Sequence, residues 1–158
     1  MKEIQLGGRH KSKISGYTLV DDEGFEELNK YHWSITAGYA KRSVWSKEKM
    51  ESIYMHRVIM DTPKGMYTDH IDGNPLNNQK SNLRICTHSQ NIQNSRMAKN
   101  NTTGFRGVAL HKKSKKYWAR IKIDRESRYL GTFNSPEEAA LAYNEVAKKY
   151  FGEFANTN

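Results

Sequence analysis

The first half of the chain is built from short alternating runs. Residues 15–20, Ser-Gly-Tyr-Thr-Leu-Val, alternate and are closed by Asp21-Asp-Glu-Gly24, which predicts a strand and a turn. Residues 23–31 fit a short helix with Phe25 and Leu28 inward, and residues 33–35 and 38–40 read as further short strands. Residues 1–55 are thus expected to form a β-rich platform without chemistry of its own. The apolar run at 52–60 contains His56 and Arg57, and it fits either a buried strand or a short helix. Pro63-Lys-Gly65 breaks it. Then come a short strand at 66–70, a loop dense in turn formers at 71–78, and a strand at 83–85. Thr87 or Ser89 can cap a helix through 90–94.

Residues 96–103 are polar and read as a linker. Beyond them, residues 105–111, 117–123 and 128–133 are strand-like, separated by Lys-Ser-Lys and Asp-Arg-Glu-Ser turns. The last element has the clearest signature. Ser135 is an N-cap, Pro136 sits at the first helical position and Glu138 completes a capping box. Ala139, Ala140, Ala142, Tyr143, Val146, Ala147 and Tyr150 mark one apolar face, and Gly152 ends it. Three strands and one helix make an α+β unit of about 55 residues, near the lower limit for independent folding.

Composition sharpens the division. Only 36% of the 158 residues are hydrophobic, which favours two thin cores over one large one. The net charge is +9, and it is unevenly placed. Residues 1–95 carry 13 Lys and Arg against 11 Asp and Glu, whereas residues 96–133 carry 11 against 2. A concentrated basic block attracts polyanions, although a solvated basic surface explains charge alone equally well. Cys86 is the single cysteine, so neither an internal disulfide nor a cysteine-based zinc site can form. That composition, with no apolar leader or membrane-length run, leads us to expect a soluble, cytoplasmic protein.

Asp69-His70 places a hard oxygen ligand beside an imidazole at a strand end, where adjacent side chains point to opposite faces. Hydrolysis of a phosphodiester needs an activated water and a Lewis acid held in line. Asp69 can face a cation and His70 a water, Asn91 can offer a second oxygen, and Asn82 can fix the imidazole or the loop. An Asp-His pair alone is usually a surface turn. The full stretch is more specific: Thr68-Asp-His-Ile-Asp-Gly-Asn-Pro-Leu-Asn-Asn-Gln-Lys-Ser-Asn-Leu-Arg-Ile85, followed by Gln90-Asn-Ile-Gln-Asn94. It closely resembles the HNH homing endonucleases of phages and bacteria, a family that builds its site on a ββα-metal fold. The resemblance implies His70 as general base, Asn82 as the middle Asn of the motif, and Asp69 and Asn91 as ligands of one divalent cation. Asn91 stands where the motif's last letter is usually His. One carboxylate and one amide suit Mg²⁺ or Mn²⁺. The family's upstream His-Arg pair is matched by His56-Arg57, and Arg84 can neutralise phosphate charge; all three are possible accessories with plain structural alternatives.

Residues 104–158 resemble an AP2 domain. The matching pieces are Gly104-Phe-Arg-Gly-Val108, Ala119-Arg-Ile121, Leu130-Gly-Thr-Phe133, Glu138-Ala-Ala140, Ala142-Tyr143 and Gly152-Glu-Phe-Ala-Asn156. The resemblance implies a three-stranded antiparallel sheet entering the major groove with the helix behind it. The middle strand agrees: Tyr117, Ala119, Ile121 and Ile123 share one face, while Trp118, Arg120 and Lys122 share the other. The expected DNA contacts are Arg106, His111, Lys113, Trp118, Arg120, Lys122 and Tyr129. The plant pattern is broken where Tyr117 stands for a tryptophan and Ala109 for an arginine, so its base specificity does not carry over.

The expected protein is therefore α+β. A nuclease domain spans 1–95, with its ββα motif at about 66–95. A linker at 96–103 and an AP2-like domain at 104–158 follow. Its expected partner is double-stranded DNA, which it cuts as a homing-type enzyme in a bacterial or phage-infected cell. Two other readings use the same residues: a DNA-binding regulator with an inert nuclease half, and an RNA-binding protein using the basic block. Target site, oligomeric state and one-strand versus two-strand cutting are not legible.

Overall fold

The computed structural model describes residues 1–7, 14–46, 49–95, 97 and 100–158. They fall into two compact units, residues 1–91 and 92–158. Of the expected linker, residues 96, 98 and 99 lie outside the described residues.

The first unit opens with a five-stranded sheet in the order β2-β1-β3-β4-β5. Its strands are β1 (Lys2–Gly7), β2 (Ile14–Val20), β3 (Trp33–Thr36), β4 (Tyr39–Ser46) and β5 (Lys49–Tyr54). Only the β1–β3 pairing is parallel. A five-residue helix, α1 (Phe25–Asn29), follows Gly24, whose φ of 88° takes the chain out of the turn. Ile4, Leu6, Val20, Leu28, Trp33, Ala40 and Met55 form the core, and the Trp33 indole N–H donates to the Leu28 carbonyl at 2.8 Å. The ambiguous apolar run resolves into both alternatives. Its first residues finish β5, and Met55–Ile59 form α2.

Next come β6 (Tyr67–His70), a loop, a 3₁₀ turn at Lys80–Asn82, β7 (Leu83–Cys86) and α3 (His88–Gln93). β6 and β7 pair antiparallel, with Asp69 opposite Arg84 and His70 opposite Leu83. Of the two candidate caps for α3, Thr87 is used. Its hydroxyl accepts from the Gln90 amide, and the Gln90 side chain accepts from the Thr87 amide at 2.8 Å.

The second unit contains an antiparallel sheet of β8 (Val108–His111), β9 (Lys116–Ile123) and β10 (Glu126–Phe133), in the order β10-β9-β8. The helix α4 (Pro136–Phe151) packs against it over Val108, Ala119, Ile121, Ile123, Ala139, Ala140, Tyr143 and Ala147. Small alanines let the helix approach closely. Gly107 shows how closely: a Cβ there would lie 2.3 Å from the Tyr143 ring and 2.5 Å from the Arg120 carbonyl, at a φ of 70°. Ser135 accepts from the Glu138 amide as expected, but the Glu138 carboxylate reaches the Asn134 amide, one residue before the cap. Tyr150 departs from the expected apolar face. It is exposed, and its hydroxyl accepts from Arg128.

Candidate active site and nucleic-acid surface

β6 carries its side chains into an unusually polar interior. Thr68, Asp69 and His70 are all buried, although a half-exposed strand would hide only alternate residues. The loop after β6 explains how His70 is covered. It lies along β2, where the Leu19 amide donates to the Leu76 carbonyl at 2.9 Å and the Asn78 amide to the Leu19 carbonyl at 2.8 Å.

Asp72 organises the loop from within. Its carboxylate accepts from the Asn74 amide at 2.7 Å and from the Asn77 and Asn82 side chains at 2.8 and 2.9 Å. Burial acts to raise its pKa, but those hydrogen bonds outweigh it and hold the carboxyl below its ordinary value. Asn82 also accepts from the Asp72 amide and donates to the Asn77 carbonyl. Of its two expected tasks, the hydrogen bonds of Asn82 thus serve the loop. The imidazole is held by a residue the sequence reading did not single out: Asn78, whose Oδ1 lies 3.2 Å from His70 Nε2.

Burial lowers the pKa of His70, opposed by the Asn78 hydrogen bond and the carboxylates of Asp72 and Asp69. The His56 ring meets the His70 ring edge-on, with centroids 5.2 Å apart, and Tyr39 lies 5.4 Å from His56 and 6.0 Å from His70. His56 is itself buried, and its pKa is pushed down to about 4 by that burial, with His70 and Arg57 adding to the effect. Its Nδ1 has no hydrogen-bond partner among the described residues. Arg57 has a structural post. Its guanidinium donates to the carbonyls of Thr62, Pro63 and Met66, clamping the turn that leads into β6.

Asp69 faces Arg84 across the β6–β7 ladder. The guanidinium Nε and terminal nitrogen reach the same carboxylate oxygen, Oδ2, at 2.9 and 2.8 Å. Arg84 is therefore engaged with Asp69. Asn91 lies on α3, half-buried, and its side chain makes no hydrogen bond among the described residues. No cluster of three His, Cys, Asp or Glu residues suited to a metal occurs among them either. A buried carboxylate and an uncommitted amide are nonetheless hard oxygen donors. They fit a cation such as Mg²⁺ or Mn²⁺ that draws its remaining ligands from water and phosphate.

In the second unit, register sorts the expected contacts. Arg120 stands opposite Tyr129, Lys122 opposite Ser127, and Trp118 between Ala109 and Thr132. Arg120 stacks over Trp118 at 4.8 Å, and Tyr129 shares a hydrogen bond with Thr132. His111, opposite Lys116, joins Ser114 at 2.7 Å in the β8–β9 turn that also carries exposed Lys113. These residues form one aromatic and basic face, opposite the helix. Arg106 stands apart from them. Its guanidinium donates to the Ser95 carbonyl and lies beside Tyr143, whose phenol pKa burial raises and Arg106 pulls back.

Comparison with known proteins adds to this geometry. Residues 54–93 match the family model described as HNH endonuclease. The chain is 31% identical over 145 residues to an uncharacterized HNH endonuclease, L560, of Acanthamoeba polyphaga mimivirus, covering 90% of this chain and 74% of that protein. It is 44% identical over 86 residues to YosQ of Bacillus subtilis (strain 168), described as an SPbeta prophage-derived putative HNH homing endonuclease; the match spans 51% of this chain and 42% of YosQ. A shorter match, 45% identical over 56 residues, links 34% of this chain to 13% of the ethylene-responsive transcription factor WRI1 of Arabidopsis thaliana. No helix among the described residues is long and apolar enough to cross a membrane.

Proposed function

From the premise that this chain belongs to the HNH endonuclease family, enzymes that hydrolyse phosphodiester bonds in DNA, we propose a site-preferring, divalent-metal-dependent endonuclease of the homing type. Residues 1–95 cut and residues 104–158 hold the DNA. The observation that carries the reading is the buried Asp69-His70 pair, closed over by a loop that Asp72, Asn77 and Asn82 brace.

His70 takes a proton from the attacking water, whose oxygen then joins phosphorus as one backbone P–O bond breaks. Burial helps here, because a lowered pKa keeps the imidazole neutral and ready to accept. Asp69 and Asn91 would hold one Mg²⁺ or Mn²⁺, which when bound stabilises charge on the phosphate and leaving oxygens. Arg84 keeps the Asp69 carboxylate oriented. His56 and Tyr39 wall the imidazole on its apolar side. A single site of this kind nicks one strand, so cutting both requires two copies or two passages.

The C-terminal face is read as AP2-like, with Trp118, Arg120, Lys122 and Tyr129 toward the major groove and His111 and Lys113 at its margin. The 56-residue match to a plant transcription factor supports that reading. The test is incubation with supercoiled plasmid and Mg²⁺ or Mn²⁺, followed by sequencing of the ends. Nicks at recurring positions that EDTA prevents are expected. Intact plasmid with retained DNA binding would instead favour a regulator with an inert nuclease half.

A further inference from the structure

The nitrogen of His70 that accepts the proton can be worked out from its hydrogen-bond partners. At the far end of the chain of contacts, the Thr18 hydroxyl lies 2.7 Å from the Leu76 carbonyl oxygen. A carbonyl can only accept, so the single hydroxyl proton of Thr18 is committed there. Thr18 Oγ1 then offers only a lone pair to Asn78, 2.7 Å away, and Asn78 must meet it with its NH₂ group. That orientation turns the Asn78 carbonyl toward His70 Nε2 at 3.2 Å. An acceptor facing Nε2 requires a donor, so in the neutral imidazole the proton resides on Nε2 and the basic lone pair on Nδ1.

We propose that Asn78 and Thr18 are positioning residues that set the tautomer of His70 and present Nδ1 as its basic nitrogen. The proposal rests on the reading of His70 as general base. It also gives β2 a task beyond anchoring the loop, with Thr18 lying 60 residues before Asn78. Both residues are fully buried, with exposures of 0% and 1%, so water does not compete for these hydrogen bonds. The same loop is tied to β2 by the backbone hydrogen bonds flanking Leu76 and Asn78, which hold the donors and acceptors in register.

The experiment uses the full chain and two readouts. The first is the imidazole ¹H–¹⁵N correlation spectrum at pH 8 in EDTA, with His70 assigned by its loss in His70→Ala. It reads the tautomer without metal, DNA or cleavage. Wild type is expected to show Nε2–H. Thr18→Val, which replaces the hydroxyl with a methyl of similar size, is expected to mix the tautomers, and Thr18→Ser to restore Nε2–H. The second readout is cleavage. Thr18→Val should lower kcat roughly 10²-fold, at the low end of what a general base contributes, with KM for DNA unchanged and Thr18→Ser near wild type. An Nδ1–H tautomer in wild type overturns the proposal, even if Thr18→Val fails to fold. So does a folded Thr18→Val whose ring is unchanged. If the tautomer follows the relay and cleavage does not, the relay stands and the assignment of His70 as general base falls.

Discussion

The two units bury different things. Every buried polar or charged side chain among the described residues lies in the first unit: Thr18, His56, Thr68, Asp69, His70, Asn78 and Asn82. The second unit buries alanines, branched aliphatics, Tyr143 and Phe154, and keeps its charges on the surface. Chemistry on a phosphodiester needs reactive groups held away from bulk water, and each such group must be matched by a partner. Reading a duplex needs the reverse, an exposed face of fixed shape over a simple core. The difference predicts that the units fail in different ways.

The most damaging single change is expected at Gly107. Gly107→Val adds side-chain atoms where a Cβ alone would overlap the Tyr143 ring and the Arg120 carbonyl. A unit of about 55 residues has little reserve against this. Amide protection across β8–β10 should disappear and DNA affinity with it, while the His70 imidazole signal persists. Loss of that signal too would mean the units are not separable in this way.

Breaking the ion pair comes next. Asp69→Ala removes the carboxylate that Arg84 meets, in a site where the two side chains are only 7% and 12% exposed. Removing one partner of a buried pair typically costs about 3–5 kcal/mol. Asn91→Ala breaks no hydrogen bond among the described residues and should leave denaturant stability unchanged while raising the Mn²⁺ concentration needed for cleavage. Equal stability losses in the two variants would contradict the contrast between the ion-paired carboxylate of Asp69 and the amide of Asn91.

Acid should also tell the units apart. His56 titrates near pH 4 when folded and near 6.5 when unfolded, so the unfolded state binds the extra proton over that window. Its contribution is therefore complete above pH 6.5 and is lost as pH falls to about 4, amounting to about 3 kcal/mol. His70 shifts in the same direction. The second unit's one histidine, His111, is exposed. Melting followed by probes in each unit should show the first unit weakening between pH 6.5 and 4, and His56→Phe should flatten that slope. An unchanged slope in the variant would remove His56 as its cause.

A smaller effect is expected from surface charge. Arg120→Gln with Lys122→Gln should reduce the slope of log K against log salt by up to about 1.8, since each lost phosphate contact contributes about 0.9. A change well below 1 would mean that these side chains read bases or face away from the DNA.

Sequence patterning revealed one unit better than the other. The strands and helix of residues 104–158 were legible because each obeys a single period, and Ser135, Pro136 and Gly152 mark the ends of α4. The outer ends of β4 and β5 were not legible, because the paired Trp45 and Met50 are exposed and give no core-facing pattern there. At the site, Asp69, His70 and Asn82 stood out through the resemblance of the stretch that carries them to the HNH motif. Thr18 could not, since its role depends on a loop arriving from 58 residues away. The pairing of Arg84 with Asp69 was not legible, because the strand register that sets them opposite each other depends on the intervening loop. Asn78 did lie within the recognised stretch, but nothing in an Asn-rich loop says which amide turns inward.

The central claim is that one imidazole in the first unit carries the chemistry while binding resides largely elsewhere. It is tested most directly by comparing wild type with His70→Ala in two assays on the same duplex: plasmid cleavage with Mg²⁺ or Mn²⁺, and a gel shift. The account predicts a loss of cleavage of roughly 10²–10⁴-fold with nearly unchanged affinity. Cleavage at the wild-type rate, or a loss of affinity as large as the loss of activity, would contradict it.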